Sequence, residues 1–454
     1  MPPLTLICAA LIALTPWPAA AADTLRVWFG SPSPATPFTS WETAARTIQD
    51  AIDAADSGDC VLIRADTSRA YSGTQVRCIR NCLGRPRMTF RGVVFPRNGV
   101  VIRGEEAGPL PIISGGDTAR TVVWVEGARH TILERLRFRD GGMLFYGRAD
   151  RTAVVRRSVF ESCEEDFGGA LRIEGEAAPL IEDNLFLENA AENAGIHNSG
   201  GAIGLMGSIP SVVPVIRNNV FLRNRAGRGG GAIRVKWSNP VIDGNLFEGN
   251  VSRGDGGAII IQGGKPRITG NLFRRNRAAG AGGAVAIYKD FGFGNVKILF
   301  NLFEADSAGF GGAIRVSHGG NRGGEMRIVN NTFHQCRAER LGDAIGLDGS
   351  GLPSQKVVVN RNIFAAGEGA VSRFIASRTT GAGVPVDSLC CNAFWATTDD
   401  LAFRSDDTFG VAEANAFVDP GFVPGDSLRA VAPGSPCAPR ASPCRALIGA
   451  RGAE

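Results

Sequence analysis

Four short segments hold most of the side chains able to do chemistry: "LRIEG" (171–175), "IRVKW" (233–237), "VAIYKD" (285–290) and "IRVSH" (314–318). In each, apolar and polar residues alternate, the period of a strand with one face turned inward. With Ile233 and Val235 inward, Arg234 and Lys236 point out and Trp237 follows. The same alternation turns out Arg172 with Glu174, Ile260 with Gln262, Ala286 with Tyr288, Arg315 with Ser317, and Gly346 with Asp348. Lys289, Asp290 and His318 stand just past the strand ends. Arginine and lysine pair with carboxylates, and Trp237 offers a flat ring for stacking. Removal of a proton beside a carboxyl group needs a base and a cation that neutralises the carboxyl. Lys236 or the adjacent Arg234 qualifies as the base where neighbours lower its pKa, and Tyr288 or His318 can donate to a leaving oxygen. Asp255 and Asp290 are the carboxylates nearest to a calcium role, but that ion takes six to eight oxygen ligands and no dense acidic loop supplies them. Calcium is the one cofactor left open, and no other metal is expected.

These segments belong to a repeat. Ten phenylalanines, Phe138, Phe160, Phe186, Phe221, Phe247, Phe273, Phe303, Phe333, Phe364 and Phe394, recur at steps of 22, 26, 35, 26, 26, 30, 30, 31 and 30 residues. An asparagine stands two places before eight of them: Asn184, Asn219, Asn245, Asn271, Asn301, Asn331, Asn362 and Asn392. Gly-Gly-Ala follows at 168, 200, 230, 256, 282 and 311, with Gly-Asp-Ala at 342. A fixed period of this length means stacked units, each too small to bury its own apolar face. Each unit holds three short strand-like runs and no helical period, so the expected turn is a coil of three strands. Phenylalanines stack inward. The asparagine sits at a sharp corner, where it tolerates the left-handed conformation and bonds to the asparagine of the next coil. At ~4.8 Å per coil, the nine steps predict a rod of roughly 43 Å. Cys163 and Cys336 occupy the slot filled elsewhere by Asn189, Asn224, Asn250 and Asn276, six coils apart, so they do not bond to each other. The acids Glu164, Glu165, Asp166, Asp255 and Asp343 stand at strand starts. Asp255 and Asp343 are three coils or ~14 Å apart in rise, beyond the reach of a hydrolytic pair.

The repeats resemble the right-handed parallel β-helix of the pectate-lyase-like superfamily. "TIQDAIDAADSGDCVLIRADTSRAYSGT" (47–74) is similar to that family's opening segment, an amphipathic helix followed by Gly-Asp and a first strand. "VVIRGEEAGPLPIISGG" (100–116) is similar to its early coils, and the "CNAFW…ANAFVDPGF…IGA" stretch to a terminal segment of exported bacterial β-helix proteins. The resemblance covers roughly residues 42–450. It implies an all-β coil, with a helix near 42–56 covering its open end, and a groove along the strand after Gly-Gly-Ala. That assigns Lys236, Arg234, Tyr288, Arg315 and His318 as candidate catalytic residues, and Trp237, Lys289, Asp290 and Arg172 as candidate substrate contacts. It implies carbohydrate binding or processing, with β-elimination on an acidic polymer favoured over hydrolysis. A non-catalytic surface scaffold or adhesion protein is the alternative, since one fold hosts many activities.

The remaining features set the compartment. The start is apolar from Leu4 to Leu14 and then small, with Ala20-Ala21-Ala22 before Asp23, which fits a cleaved export signal over 1–22. The β-helix is expected over 23–400 and a tail over 401–454. Export to the periplasm, the cell surface or the medium of a bacterium makes disulfides permissible, and Cys78–Cys82 and Cys437–Cys444 close the shortest loops. The net charge of +5 on 454 residues is too small to argue for nucleic acid. No later stretch is long and apolar enough to span a membrane. A monomer whose partner is a polysaccharide or cell-surface glycan is the expected state.

Overall fold

The structure, a computed structural model, describes residues 22–73, 75–80, 86–116, 121–126, 128–147, 152–192, 200–207, 213–288, 295–318, 324–349, 355–366, 374–379, 388–395, 403–404, 412–413, 416–417 and 437. One coil shows the plan. Val241–Asp243 lies in a first sheet, and Leu246–Glu248 in a second. Val251–Ser252 adds to a short sheet, Ile259–Gln262 enters the front sheet, and Arg267–Thr269 begins the next coil. Among the described residues the first, second and front sheets have 14, 12 and 11 strands, and the short sheet has six. The three-strand coil therefore forms, and short runs of two to five residues after the second corner add a fourth, smaller sheet.

Pairing is parallel and in register, so equal positions stack. Phe221 faces Phe247, which faces Phe273. From Phe138 to Phe394 the rings stack at centroid spacings of 4.7–4.9 Å, with planes within 16°. All ten rings are fully buried, which makes this column the densest apolar element of the core.

The corners differ from the expectation in one respect. The left-handed residue is the one before the asparagine: Asp183, Asn218, Gly244, Gly270, Phe300, Asn330, Arg361 and Cys391 all have φ between 55° and 65°. That single residue turns the backbone, so the asparagine side chain is free to point inward. Its Oδ1 accepts from the coil before: Asn219 donates from N and Nδ2 to Asn245 Oδ1 at 2.9 and 3.0 Å, and Asn245 does the same to Asn271. Each Nδ2 also donates to a carbonyl, as Asn245 does to Ile216 O at 2.9 Å. Every polar atom of a buried amide is thus used, which is the condition for burying it.

A second ladder runs through Asn189, Asn224, Asn250 and Asn276, its rungs joined by the same side-chain bonds. Cys163 and Cys336 are thiols at its two ends, each donating to a phenylalanine carbonyl at 3.6 Å, the bond the amides make elsewhere. Asp306 takes the place of an asparagine. Its Oδ1 accepts from Asn276 at 2.8 and 2.9 Å, while Oδ2 is buried with no hydrogen-bond partner among the described residues. Burial pushes this carboxyl up to about 8, against the opposing bonds from Asn276 and with some help from Glu304. The acid reproduces the accepting half of the amide it replaces, and protonation spares the interior a buried charge.

The helix forms at Ile48–Ala54, with Thr47 as N-cap accepting from Asp50 N. Ile48, Gln49, Ala51 and Ile52 are buried, and the helix lies against strands Thr24–Val27 and Cys60–Ile63 of the first sheet. An antiparallel hairpin, Gln75–Arg80 with Pro86–Gly92, interrupts the early coils; nothing in the repeat pattern signals it. At the other end, Phe403–Arg404, Ala412–Glu413 and Ala416–Phe417 pair in parallel with the preceding coil. Cys391 is disulfide-bonded and Cys437 is buried. Cys82, Cys444, the side chain of Cys78 and the expected export signal through residue 21 lie outside the described residues.

Two outcomes are expected. Asn245→Ala strands the donors of Asn219 in the interior and should lower stability by about 1–3 kcal/mol, whereas Phe247→Ala removes a whole ring and should cost about 3–5 kcal/mol; chemical denaturation measures both. Asp306 holds its proton in the folded chain to a higher pH than in the unfolded chain. Stability therefore falls as pH rises from the ordinary carboxyl range through about 8 and levels off above it. Asp306→Asn should raise the melting temperature at pH above 8 and leave it nearly unchanged in acid. An equal shift at both pH values sinks the protonated assignment.

Candidate functional site

The front sheet carries the candidate residues in two rows fixed by strand register. One row runs Arg172, Gly204, Arg234, Ile260, Ala286, Arg315, Gly346; the other runs Glu174, Met206, Lys236, Gln262, Tyr288, Ser317, Asp348. The alternation therefore holds across seven coils. The rows are not equally open. Arg234 is 7% exposed and Ile260 4%, while Lys236, Gln262, Tyr288 and Asp348 are half-buried. Residues ahead of the strands fold across the first row. A Cβ at Gly204 would strike the Phe167 ring at 2.6 Å, and one at Gly346 the Phe310 ring at 2.6 Å. The alternation predicts two solvent-facing rows; the first is exposed at Arg172 but covered at Arg234 and Ile260, and the second is half-buried except at Ser317, which is buried.

Two groups form along this face. In the first, Arg234 Nη2 donates to Gln262 Oε1, and Lys236 Nζ lies 4.6 Å from the centre of the Trp237 ring. Trp237 is 44% exposed and has φ of 50°, an unusual conformation for an aromatic residue. It lets the ring turn back over the lysine. Burial lowers the Arg234 pKa to about 10, and burial plus Arg234 make the Lys236 ammonium more acidic than an ordinary lysine. Lys236 has no carboxylate partner among the described residues.

In the second group, Arg315 is held on three sides. Nη1 bonds Asp255 Oδ2 at 2.9 Å, and Nη2 and Nε bond Asp348 at 2.8 and 3.2 Å. The guanidinium also lies 4.5 Å from the Tyr288 ring centre. Tyr288 donates to Asp255 Oδ2; burial, then Asp255, pushes its hydroxyl up to about 12, so it remains a donor at neutral pH. Asp255 Oδ1 accepts from Ala281 N at 2.7 Å. Both oxygens of Asp255 face donors.

The single cationic-aromatic cluster expected from the residue pattern therefore divides in two once the coils are stacked. Lys236 and Tyr288 are two coils apart, each coil rising 4.7–4.8 Å. Arg172 pairs with Glu174 at 2.7 Å at the far end of the face. His318 closes the strand Ile314–His318, but its side chain, like Lys289 and Asp290, lies outside the described residues. Among the acids at the strand starts, Asp343 accepts from Ala338 N within its own coil, and Glu165 accepts from Thr121 Oγ1 of an earlier coil. Among the described residues no three His, Cys, Asp or Glu side chains cluster as a metal site. Gln262 and Asp348 share the register without standing out by type. Asp348 is findable from register, diagonal to Arg315 on the next strand; the reach of Asp255 across to Tyr288 and Arg315 is not.

Comparison with known proteins agrees with this geometry. Residues 189–333 match the family model described as "Right handed beta helix region". No curated protein matches the chain. The matched segment contains the first group and, of the second, Asp255, Tyr288 and Arg315 but not Asp348, and its coils continue in register on both sides. Residues 189–333 match a right-handed β-helix region, and the parallel coils on both sides of it continue the same stacking, which is consistent with the pectate-lyase-like superfamily.

Proposed function

We propose that the protein binds an acidic polysaccharide along the front sheet, with Arg234, Lys236 and Trp237 as the carboxylate- and ring-binding rung. One observation carries this reading: Lys236, beside Arg234 and without a carboxylate partner among the described residues, sits on the open face of an exposed tryptophan. A cation next to a stacking ring suits a sugar carboxylate, whose ring stacks while its charge is paired. The apolar start of the chain and Ala20-Ala21-Ala22 support export to where such polymers occur.

The same rung suits β-elimination. Arg234 would neutralise the uronate carboxyl, Lys236 in its neutral form would take the adjacent proton, and the C=C bond would form as the C–O bond to the next sugar breaks, the leaving oxygen taking a proton from the Lys236 ammonium or from water. A lysine made more acidic supplies more neutral amine near neutral pH. The paired charges Arg172–Glu174 and Arg315–Asp255–Asp348 support the rival reading of a non-catalytic surface scaffold, because they are already satisfied without a ligand.

A panel of acidic polysaccharides, with and without calcium, separates these readings. Binding is expected by calorimetry with at least one polymer, weakened about tenfold or more by Lys236→Ala or Arg234→Ala. New ultraviolet absorbance from unsaturated uronates marks elimination, and its rate should climb as pH rises toward the Lys236 pKa. Binding without absorbance leaves a lectin-like rod; no binding to any member of the panel removes the carbohydrate reading.

A further inference from the structure

The short sheet carries a positive surface of its own, apart from the Arg234–Lys236 rung of the front sheet. Its outward row runs Arg225, Val251, Arg277, Ser307, Arg337, so an arginine returns at every second coil. Beside it the corner residues Arg223, Gly249 and Arg275 form a second column, with φ of 52°, 62° and 52°. Stacking therefore sets Arg223, Arg225, Arg275 and Arg277 as a frame around Gly249 and Val251. Its long sides span two coils of 4.7–4.8 Å each, and its short sides are roughly 6–7 Å. The Arg223 side chain reaches inward: a Cβ at Gly249 would lie 3.6 Å from its Cγ. All four arginines are exposed, as are Arg253 and Arg337.

Carboxylates serve one edge of the frame. Glu188 pairs with Arg223 at 2.8 Å, and Glu192 with Arg225 and Arg253 at 3.2 and 3.1 Å. Among the described residues Arg275, Arg277 and Arg337 have no ion-pair partner, and Glu248 and Glu339 stand outside every ion pair. Asp255 is turned to Tyr288 and Arg315, and Asp306 is buried. The Arg275–Arg277 edge is left positive and open.

We infer that this frame is a second docking surface, for an acidic polysaccharide strand lying along the rod with a carboxylate or sulfate held between the arginines. The inference stands on the short sheet alone and does not need the front-face site. A guanidinium fork gives an oxyanion two parallel hydrogen bonds. Both columns run along the rod axis, so a linear chain meets arginines in succession. Single-stranded nucleic acid would need aromatic platforms for its bases, and a membrane surface an apolar belt. Among the described residues the frame offers neither: Val251 is its one exposed apolar side chain, and Phe310 of a following coil is buried.

Calorimetry of the full chain at low salt tests this in a Lys236→Ala background, which disables the front rung. The probes are polygalacturonate, dextran sulfate and uncharged dextran, with duplex DNA and anionic phospholipid vesicles as rivals. The test variant adds Arg275→Ala and Arg277→Ala. Alanine suits the corner, since Ala305 holds the Arg275 position one coil on with φ of 54°. The control adds Arg267→Ala and Arg327→Ala, which remove the same charge from exposed positions on the first sheet. At least one acidic polysaccharide should bind the background protein and dextran should not. The test pair should weaken that binding about fivefold or more, with the loss fading as salt rises, and the control pair less than about twofold. The polymer showing the larger loss identifies carboxylate or sulfate as the anion. Equal losses in test and control reduce the effect to net charge and overturn the frame. Wild-type binding that vanishes with Lys236→Ala alone also overturns it and leaves the front rung standing. Tighter binding of DNA or vesicles than of either polysaccharide, lost in the test variant, overturns the polysaccharide as occupant.

Discussion

The whole rod depends on the buried amide at each corner. A coil turns sharply at one left-handed residue, and the next side chain goes into the core. An asparagine there is acceptable only because its oxygen receives two donors from the preceding coil and its nitrogen finds the following coil and a carbonyl. An unpaired amide at that depth would cost more than a typical bond contributes. Register is therefore not a matter of hydrophobic burial alone. A slip of one residue breaks every rung of the ladder and also faces the phenylalanines outward.

That rigidity decides what the outer face can be. With each coil locked to the next at 4.7–4.9 Å, outward residues fall into straight rows, and local chemistry is set by which residue each coil places in a row. Burial makes Lys236 more acidic, and Arg234 adds to this because the two share a rung. Arg315 is bound by carboxylates from two other coils, Asp255 ahead of its strand and Asp348 beyond it. A cationic stripe thus becomes two distinct places, one open and positive, the other internally satisfied. The ladder tolerates variation where the new group can make part of the same bonding: the thiols of Cys163 and Cys336 donate to phenylalanine carbonyls, and Oδ1 of Asp306 accepts from Asn276 as an amide oxygen would.

The repeat made most of this architecture legible. Asn-x-Phe spacing located the corners and the inward column, and alternation after Gly-Gly-Ala sorted inward from outward residues on the front sheet. It did not locate the left-handed residue, because Asp, Asn, Gly, Phe, Arg and Cys all occupy that position; the constraint there is on backbone, not on side-chain type. The hairpin at Gln75–Gly92 also went unseen, since it lies outside the period. Gly204 and Gly346 read as gaps in a row, whereas they are the floor under Phe167 and Phe310.

The amino-acid order by itself determined the coil, its register and the identity of each outward row, because strand alternation and a fixed period are properties of one chain read along its length. Only the tertiary structure decided which outward side chains are neighbours and which are covered. Residues 60 apart, Asp255 and Arg315, meet at 2.9 Å, and Lys236 and Tyr288, both on the same row, stand two rungs apart. Coil rise, and the path of the residues ahead of each front strand, set those distances. Neither is written in the type or spacing of the residues themselves.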